Sequence, residues 1–196
     1  MSDDISPETK AEIALAVRQA LAEHGYERLT TAKIAAEYDK SEAGLYYYFD
    51  TKDEMIAAFL EQAAGQLGEE LADLDVDDPE QRLRIACDHL FLSPGDEGAG
   101  VHVAIMELLS HAPYNETLRE PLLALESSTL GLLTEIVRDG VERGVFRPVE
   151  PRATAAFLLA AADGSTGFHV ALEMDVGDDL DAAWSAYVDS LVAESQ

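Results

Sequence analysis

Tyr46, Tyr47 and Tyr48 stand in a row within a polar stretch that also holds Lys40, Ser41, Glu42, Ala43 and Lys52. Phenol and serine hydroxyls and lysine ammonium groups all donate to phosphate oxygens. A small residue such as Ala43 lets a backbone approach base edges closely. If the stretch is helical, Leu45 and Phe49 share the inward face, which turns Ser41, Glu42, Ala43, Tyr46 and Tyr47 outward. A buried aromatic cluster would account for one of the three tyrosines, but not for their polar surroundings.

The cations sharpen this reading. The four lysines are Lys10, Lys33, Lys40 and Lys52, and none follows in the remaining 144 residues. Residues 1–62 carry six cations against thirteen acids, net −7. Residues 63–196 carry seven arginines against twenty-six acids, net −19. A chain that otherwise avoids lysine has gathered it in its first quarter, so the two parts do different jobs.

Other chemistry is sparse. His89, His102 and His111 fall on neighbouring elements without metal-ligand spacing, so no metal is expected. Cys87 sits on an apolar helical face, where a thiol acts as a small core residue. The sequence has no Gly-rich phosphate loop, no nucleophile elbow and no carboxylate–histidine constellation at catalytic spacing. An enzyme is not expected, nor is a cofactor.

The elements that must position these groups read as all helix. Ser6-Pro7-Glu8 opens a first helix whose Ile13, Val17 and Leu21 line one face as far as a stop at Gly25. Thr30 caps a short helix from Thr31 to about Tyr38, Asp39-Lys40 makes a tight turn, and Ser41 caps a third helix to Phe49. Thr51-Lys52-Asp53-Glu54 has capping-box spacing and opens a longer helix that carries Met55, Phe59 and Leu67. Five more follow, starting at Asp78-Pro79, Val101, Asn115, Pro151 and Gly177. About nine helices result, with no persistent strand pattern.

Composition bounds the setting. With 47% hydrophobic residues in 196, the chain can bury a sizeable core. The longest apolar run, Ala155 to Ala162, is far short of the ~18–20 residues that cross a bilayer. Met1-Ser2-Asp3-Asp4 lacks the build of a secretory signal, and a single cysteine fits a reducing compartment, so a cytoplasmic protein is expected. A net charge of −26, with nine arginines to four lysines, resembles proteins of cells that hold molar salt. There the screening length falls to ~3 Å and like charges barely repel.

Residues 29–52 resemble the Tet repressor (TetR/AcrR) family of transcription regulators. The resemblance rests on Gly25-Tyr26, Thr30-Thr31, Ile34-Ala35, and then Ser41, Gly44-Leu45-Tyr46, Tyr48-Phe49 and Lys52 in one spacing. It implies a helix-turn-helix whose second helix lies in the major groove. Thr31, Tyr46, Tyr48 and Lys52 then match the family's backbone-phosphate contacts. Ala32, Glu42, Ala43 and Tyr47 occupy places that touch bases, and Lys33 and Lys40 flank the surface. Tyr38-Asp39-Lys40 departs from the family pattern, and Asp39 must take the turn's left-handed position. Glu42 is read as screened surface.

The resemblance also implies a division into a DNA-binding domain, 1–51, and an effector-binding and dimerisation domain, 52–196. Glu142 to Arg147, followed by Pro151, is similar to the family's lead-in to its dimerisation helices. Phe157, Ala161, Leu172, Leu180, Trp184, Tyr187 and Leu191 would form the face that pairs with a second copy. Phe91, His102, Met106, Leu109, Leu130, Leu133 and Phe168 would line an effector pocket. The expected function is a repressor released from a palindromic operator by a small apolar effector. The alternative is a helical, ligand-responsive interaction protein that has lost DNA binding, which the charge of −7 on residues 1–62 would suit.

Overall fold

Ser6, Thr30, Ser41, Thr51 and Asp78 each accept a backbone N–H at the start of a helix, as their positions in the sequence require. A computed structural model describes residues 5–38, 41–96 and 98–193. The helices are α1 (Pro7–Arg28), α2 (Thr31–Glu37), α3 (Glu42–Leu45), α4 (Lys52–Ala63), α5 (Gln66–Asp73), α6 (Pro79–Leu90), α7 (Ala99–His111), α8 (Glu116–Glu142), α9 (Pro151–Ser165) and α10 (Gly177–Leu191). A 3-10 turn, Ala112–Tyr114, separates α7 from α8, and a π-helical segment, Thr166–Ala171, extends α9. Among the described residues there is no strand, only an isolated bridge between Phe146 and Val192.

The protein is all-α, and three details differ from the sequence reading. Gly25 stops the first stretch of helix as expected, at φ 67 and ψ 169, but a further helical turn follows it to Arg28 and is counted in α1. The helix expected to run unbroken past Leu67 is split at Ala64-Gly65, where Gly65 has φ 97, into α4 and α5. That split turns nine helices into ten helical segments among the described residues. Regular helix in α3 ends at Leu45, and Tyr46, Tyr47 and Tyr48 continue as a turn with the Tyr48 and Phe49 amides donating to the Leu45 carbonyl. The turn expected at Asp39-Lys40 lies outside the described residues.

Two compact units make up the chain. The first holds residues 5–64 and 98–126, the second residues 65–96 and 127–193. In the first, Ile13, Val17, Leu21, Ile34, Leu45, Met55, Ile56, Leu60, Leu108 and Leu118 are buried together. Alpha1 and α7 pack so closely that a Cβ added at Gly100 would lie 2.5 Å from the Ala22 carbonyl oxygen. In the second, Leu71, Leu83, Cys87, Leu133, Ile136, Val137, Phe146, Leu158, Val188 and Leu191 form the core. The segment between α8 and α9 pairs with the end of α10, Arg147 N donating to Leu191 O at 2.7 Å and Ala193 N to Val145 O at 2.8 Å.

Candidate nucleic-acid interface

Local chemistry sets the recognition segment. The Thr30 hydroxyl accepts the Lys33 amide at 3.3 Å and starts α2, and the Ser41 hydroxyl accepts the Gly44 amide at 3.3 Å and starts α3. Ile34, Ala35, Tyr38 and Leu45 bury the inner faces of these two helices against α1 and α4. Ala32, Ser41, Glu42, Ala43, Tyr46 and Tyr47 are left exposed, with Tyr47 at 68% the most open tyrosine of the three. Tyr48 is half-buried and packs on the core, its ring edge-on to Tyr47 at 5.0 Å.

Thr31 departs from the simple picture of an open phosphate donor. Its side chain is nearly buried, and its hydroxyl meets the Tyr46 hydroxyl at 3.0 Å. The pair therefore joins the start of α2 to the end of α3, and Tyr46 carries the accessible end of it.

The lysines have structural partners as well. Lys33 Nζ donates to the Arg28 carbonyl at 2.7 Å, and Lys52 Nζ donates to the Tyr26 carbonyl at 3.3 Å. Lys52 also lies 4.2 Å above the Tyr26 ring, a cation–π contact. Both ammonium groups thus sit at the C-terminal end of α1, where orphan carbonyls favour cations. Each keeps further N–H donors for another acceptor. Lys10 pairs with Glu61 at 2.7 Å, and Lys40 lies outside the described residues.

Sequence reasoning missed the polar groups around Tyr26. Its hydroxyl donates to Asp53 Oδ1 at 3.3 Å, and Asn115 Nδ2 donates to Asp53 Oδ2 at 2.8 Å. Burial, and then the Asp53 carboxylate, push the Tyr26 phenol above its ordinary range, so it stays a donor. The His111 ring lies 4.8 Å from the Tyr26 ring, and His111 Nε2 is 2.9 Å from Glu27. Asp53 stands in a capping box and Asn115 at a helix start, but those local signals do not show that the two meet, 62 residues apart in the chain.

This arrangement can hold a phosphate backbone against hydroxyls and ammonium groups and present Ala43, Tyr47 and Glu42 to base edges. Comparison with known proteins decides what it belongs to. The profile described as bacterial regulatory proteins of the tetR family matches residues 13–59. The profile of the BetI-type transcriptional repressor C-terminal region matches residues 79–193. The chain belongs to the TetR family of transcriptional regulators.

Relatives agree. The nucleoid occlusion factor SlmA of Vibrio campbellii is 31% identical over 80% of this chain and 81% of its own length. A TetR transcription regulator from Haloarcula marismortui is 33% identical, covers 95% of this chain and 99% of its own, and has a TM-score of 0.79. The regulator FadR from Bacillus subtilis, solved with stearoyl-CoA, shares the fold at 20% identity, with a TM-score of 0.68 over 95% of this chain and 99% of its own. Regulators of this family bind DNA operators and small-molecule effectors and are typically dimers.

The structure distributes the other sequence-derived sites of this TetR-family chain unevenly. Of the pocket candidates, His102, Met106 and Leu109 are half-buried on α7 in the first unit, where Leu109 packs on the core. Phe91, Leu130 and Leu133 pack in the second unit, Phe91 stacking on Trp184 at 5.7 Å. Phe168 is a correction, because the π-helical segment turns its ring outward, more than half exposed. No group of three or more His, Cys, Asp and Glu that could hold a metal occurs among the described residues.

Of the dimer candidates, Phe157 and Leu172 are exposed, and Leu180, Trp184 and Tyr187 are half-buried. The Phe157 ring rests 4.9 Å from Tyr187. Ala161 packs on its own core, half-covered. Leu191 is the second correction: it is fully buried in its own unit and offers nothing to a partner. The spacing of Leu191 with Trp184 and Tyr187 puts them on one stripe, but Leu191, at the end of α10, is buried in the core that also holds Phe146.

Proposed function

We propose that this protein is a ligand-responsive, sequence-specific DNA-binding regulator, a repressor released from a palindromic operator by a small apolar effector. The observation that carries this reading is the exposed surface of Ser41, Glu42, Ala43, Tyr46 and Tyr47 on a buried Leu45 anchor, flanked by Lys33 and Lys52. Tyr46, Tyr48, Thr31, Lys52 and the flanking Lys33 and Lys40 position the duplex. Ala32, Ala43, Tyr47 and Glu42 face the bases. An interaction protein without DNA binding is not favoured, because such a protein has no use for this surface.

The functional division is 1–51 for DNA and 52–196 for effector and dimerisation. Two copies pair through an exposed apolar face made of Phe157, Phe168, Leu172 and Met174, flanked by Leu180, Trp184 and Tyr187. Two recognition segments on one dimer match the two-fold symmetry of a palindrome. The protein acts in the cytoplasm of a halophile and is not an enzyme. The acid-rich composition supports the halophile, as does a 33%-identical relative from a halophilic archaeon. Among the described residues no helix is long and apolar enough to cross a membrane.

Selection of binding sites from a pool of random duplexes, in molar KCl, tests the function. An enriched inverted repeat is the expected result. Enrichment of no sequence would overturn the DNA-binding reading.

A further inference from the structure

We propose that Glu107, on α7 and outside the helix-turn-helix, is a positioning residue for DNA binding. The inference rests on the DNA-binding reading above. The chain enters the motif through the break in α1 at Gly25, and glycine is the residue whose backbone specifies its own dihedrals least. Something outside the glycine must fix them. After the break, the Tyr26 amide donates to Glu107 Oε2 at 2.6 Å, a short charge-assisted bond. A Cβ at Gly25 would lie 3.0 Å from that same oxygen, so the missing side chain makes room for the carboxylate.

The other polar atoms of Tyr26 are held as well, its carbonyl by Lys52 and its hydroxyl by Asp53. Lys52 and Asp53 begin α4, where the chain leaves the motif, and Asn115 holds Asp53 from the start of α8. Segment 107–115 therefore grips both ends of the helix-turn-helix, the way in through Glu107 and the way out through Asn115. Apolar packing of Val101, Ala104 and Leu108 in the first core does not involve the Glu107 carboxylate. Loss of the carboxylate leaves that packing in place and frees the angle at Gly25.

The test uses the full chain and a duplex selected by the wild-type protein. Glu107→Ala should bind about tenfold more weakly, because only a fraction of molecules holds the competent geometry, while its melting temperature stays close to wild type. Glu107→Gln should restore most of the affinity, since its amide oxygen accepts the same N–H. Hydrogen exchange at the Tyr26 amide should be slow in wild type, fast in Glu107→Ala and slow again in Glu107→Gln.

Four results overturn the inference. Glu107→Ala could bind within about twofold of wild type, leaving DNA binding intact but the positioning role gone. Glu107→Gln could be as weak as Glu107→Ala. The Tyr26 amide could exchange freely in wild type, a result that needs no variant to fold. Finally, the wild type could select no duplex, in which case the DNA-binding reading fails first and this inference with it.

Discussion

Two cations in each unit are held in contrasting ways. In the first, Lys33 and Lys52 are bound to backbone carbonyls, and among the described residues no carboxylate lies within ion-pair distance of either. In the second, Arg84 reaches Glu80 and Asp189, and Arg143 reaches Asp77 and Asp139. A carbonyl orients an ammonium group without cancelling its charge, whereas two carboxylates more than cancel a guanidinium. An acid-rich chain can thus keep a few cations available to phosphate by binding them to neutral acceptors. The exposed side chains differ as well: Ser41, Tyr46 and Tyr47 beside half-buried lysines on the first unit, which also exposes Leu15, Tyr114 and Leu123, and Phe157, Phe168, Leu172 and Met174 on the second.

The largest effects should come from the second unit. Leu191→Asp puts a carboxylate into a fully buried site and should cost several kcal/mol, seen as loss of the cooperative circular-dichroism melt. Phe157→Asp with Leu172→Asp changes exposed positions, so the melt should survive while light scattering reports monomers. A persistent dimer would remove this face from the interface.

Next in size is the contrast between cations. Lys33→Ala with Lys52→Ala should weaken operator binding by roughly tenfold or more while the fold persists. Arg84→Ala should leave binding unchanged and cost ~1 kcal/mol or less, as for other half-exposed ion pairs. Equal losses from the two would erase the distinction drawn between the units.

Hydroxyl contacts should be smaller, a few-fold each. Tyr46→Phe and Tyr48→Phe should lower affinity alike on all sequences, whereas substitutions at Ala43 or Tyr47 should change the preferred sequence. Repeating the duplex selection with each variant separates these outcomes.

Cys87 should give the smallest signal. Burial, and to a lesser degree the neighbouring Asp88, push its thiol up to about 12. The folded state holds the proton more tightly than the unfolded chain, whose thiol titrates near 9.0, so this group's contribution to stability is lost as pH rises from 9.0 towards 12. At pH 8 iodoacetamide should label the unfolded protein readily and the folded protein hardly at all.

What was legible in the sequence was local. Ser6, Thr30, Ser41, Thr51 and Asp78 cap helices because a cap involves only residues three positions on. Leu45 was legible as an anchor because it and Phe49 are apolar at helical spacing within a polar stretch. Leu191 and Phe168 were misread because periodicity gives an angle around a helix and not what stands opposite it. The Glu107–Tyr26 bond joins residues 81 apart, and no local pattern announces it. Asp39 and Lys40, the departure from the family pattern, fall outside the described residues.

The central claim is that contact pairs, rather than a long-range positive field, hold this domain on DNA. Operator affinity measured by fluorescence anisotropy between ~0.3 and ~2 M KCl, with circular dichroism checking the fold at each point, tests it most directly. A conventional basic domain loses affinity with a slope of about −0.9 per neutralised phosphate on a logarithmic salt scale. Here residues 1–62 carry net −7, so screening removes repulsion and cations enter between acids and phosphates, offsetting those the lysines release. The expected result is a shallow slope, or affinity that rises with salt. A steep fall in affinity while the fold stays intact would contradict the claim.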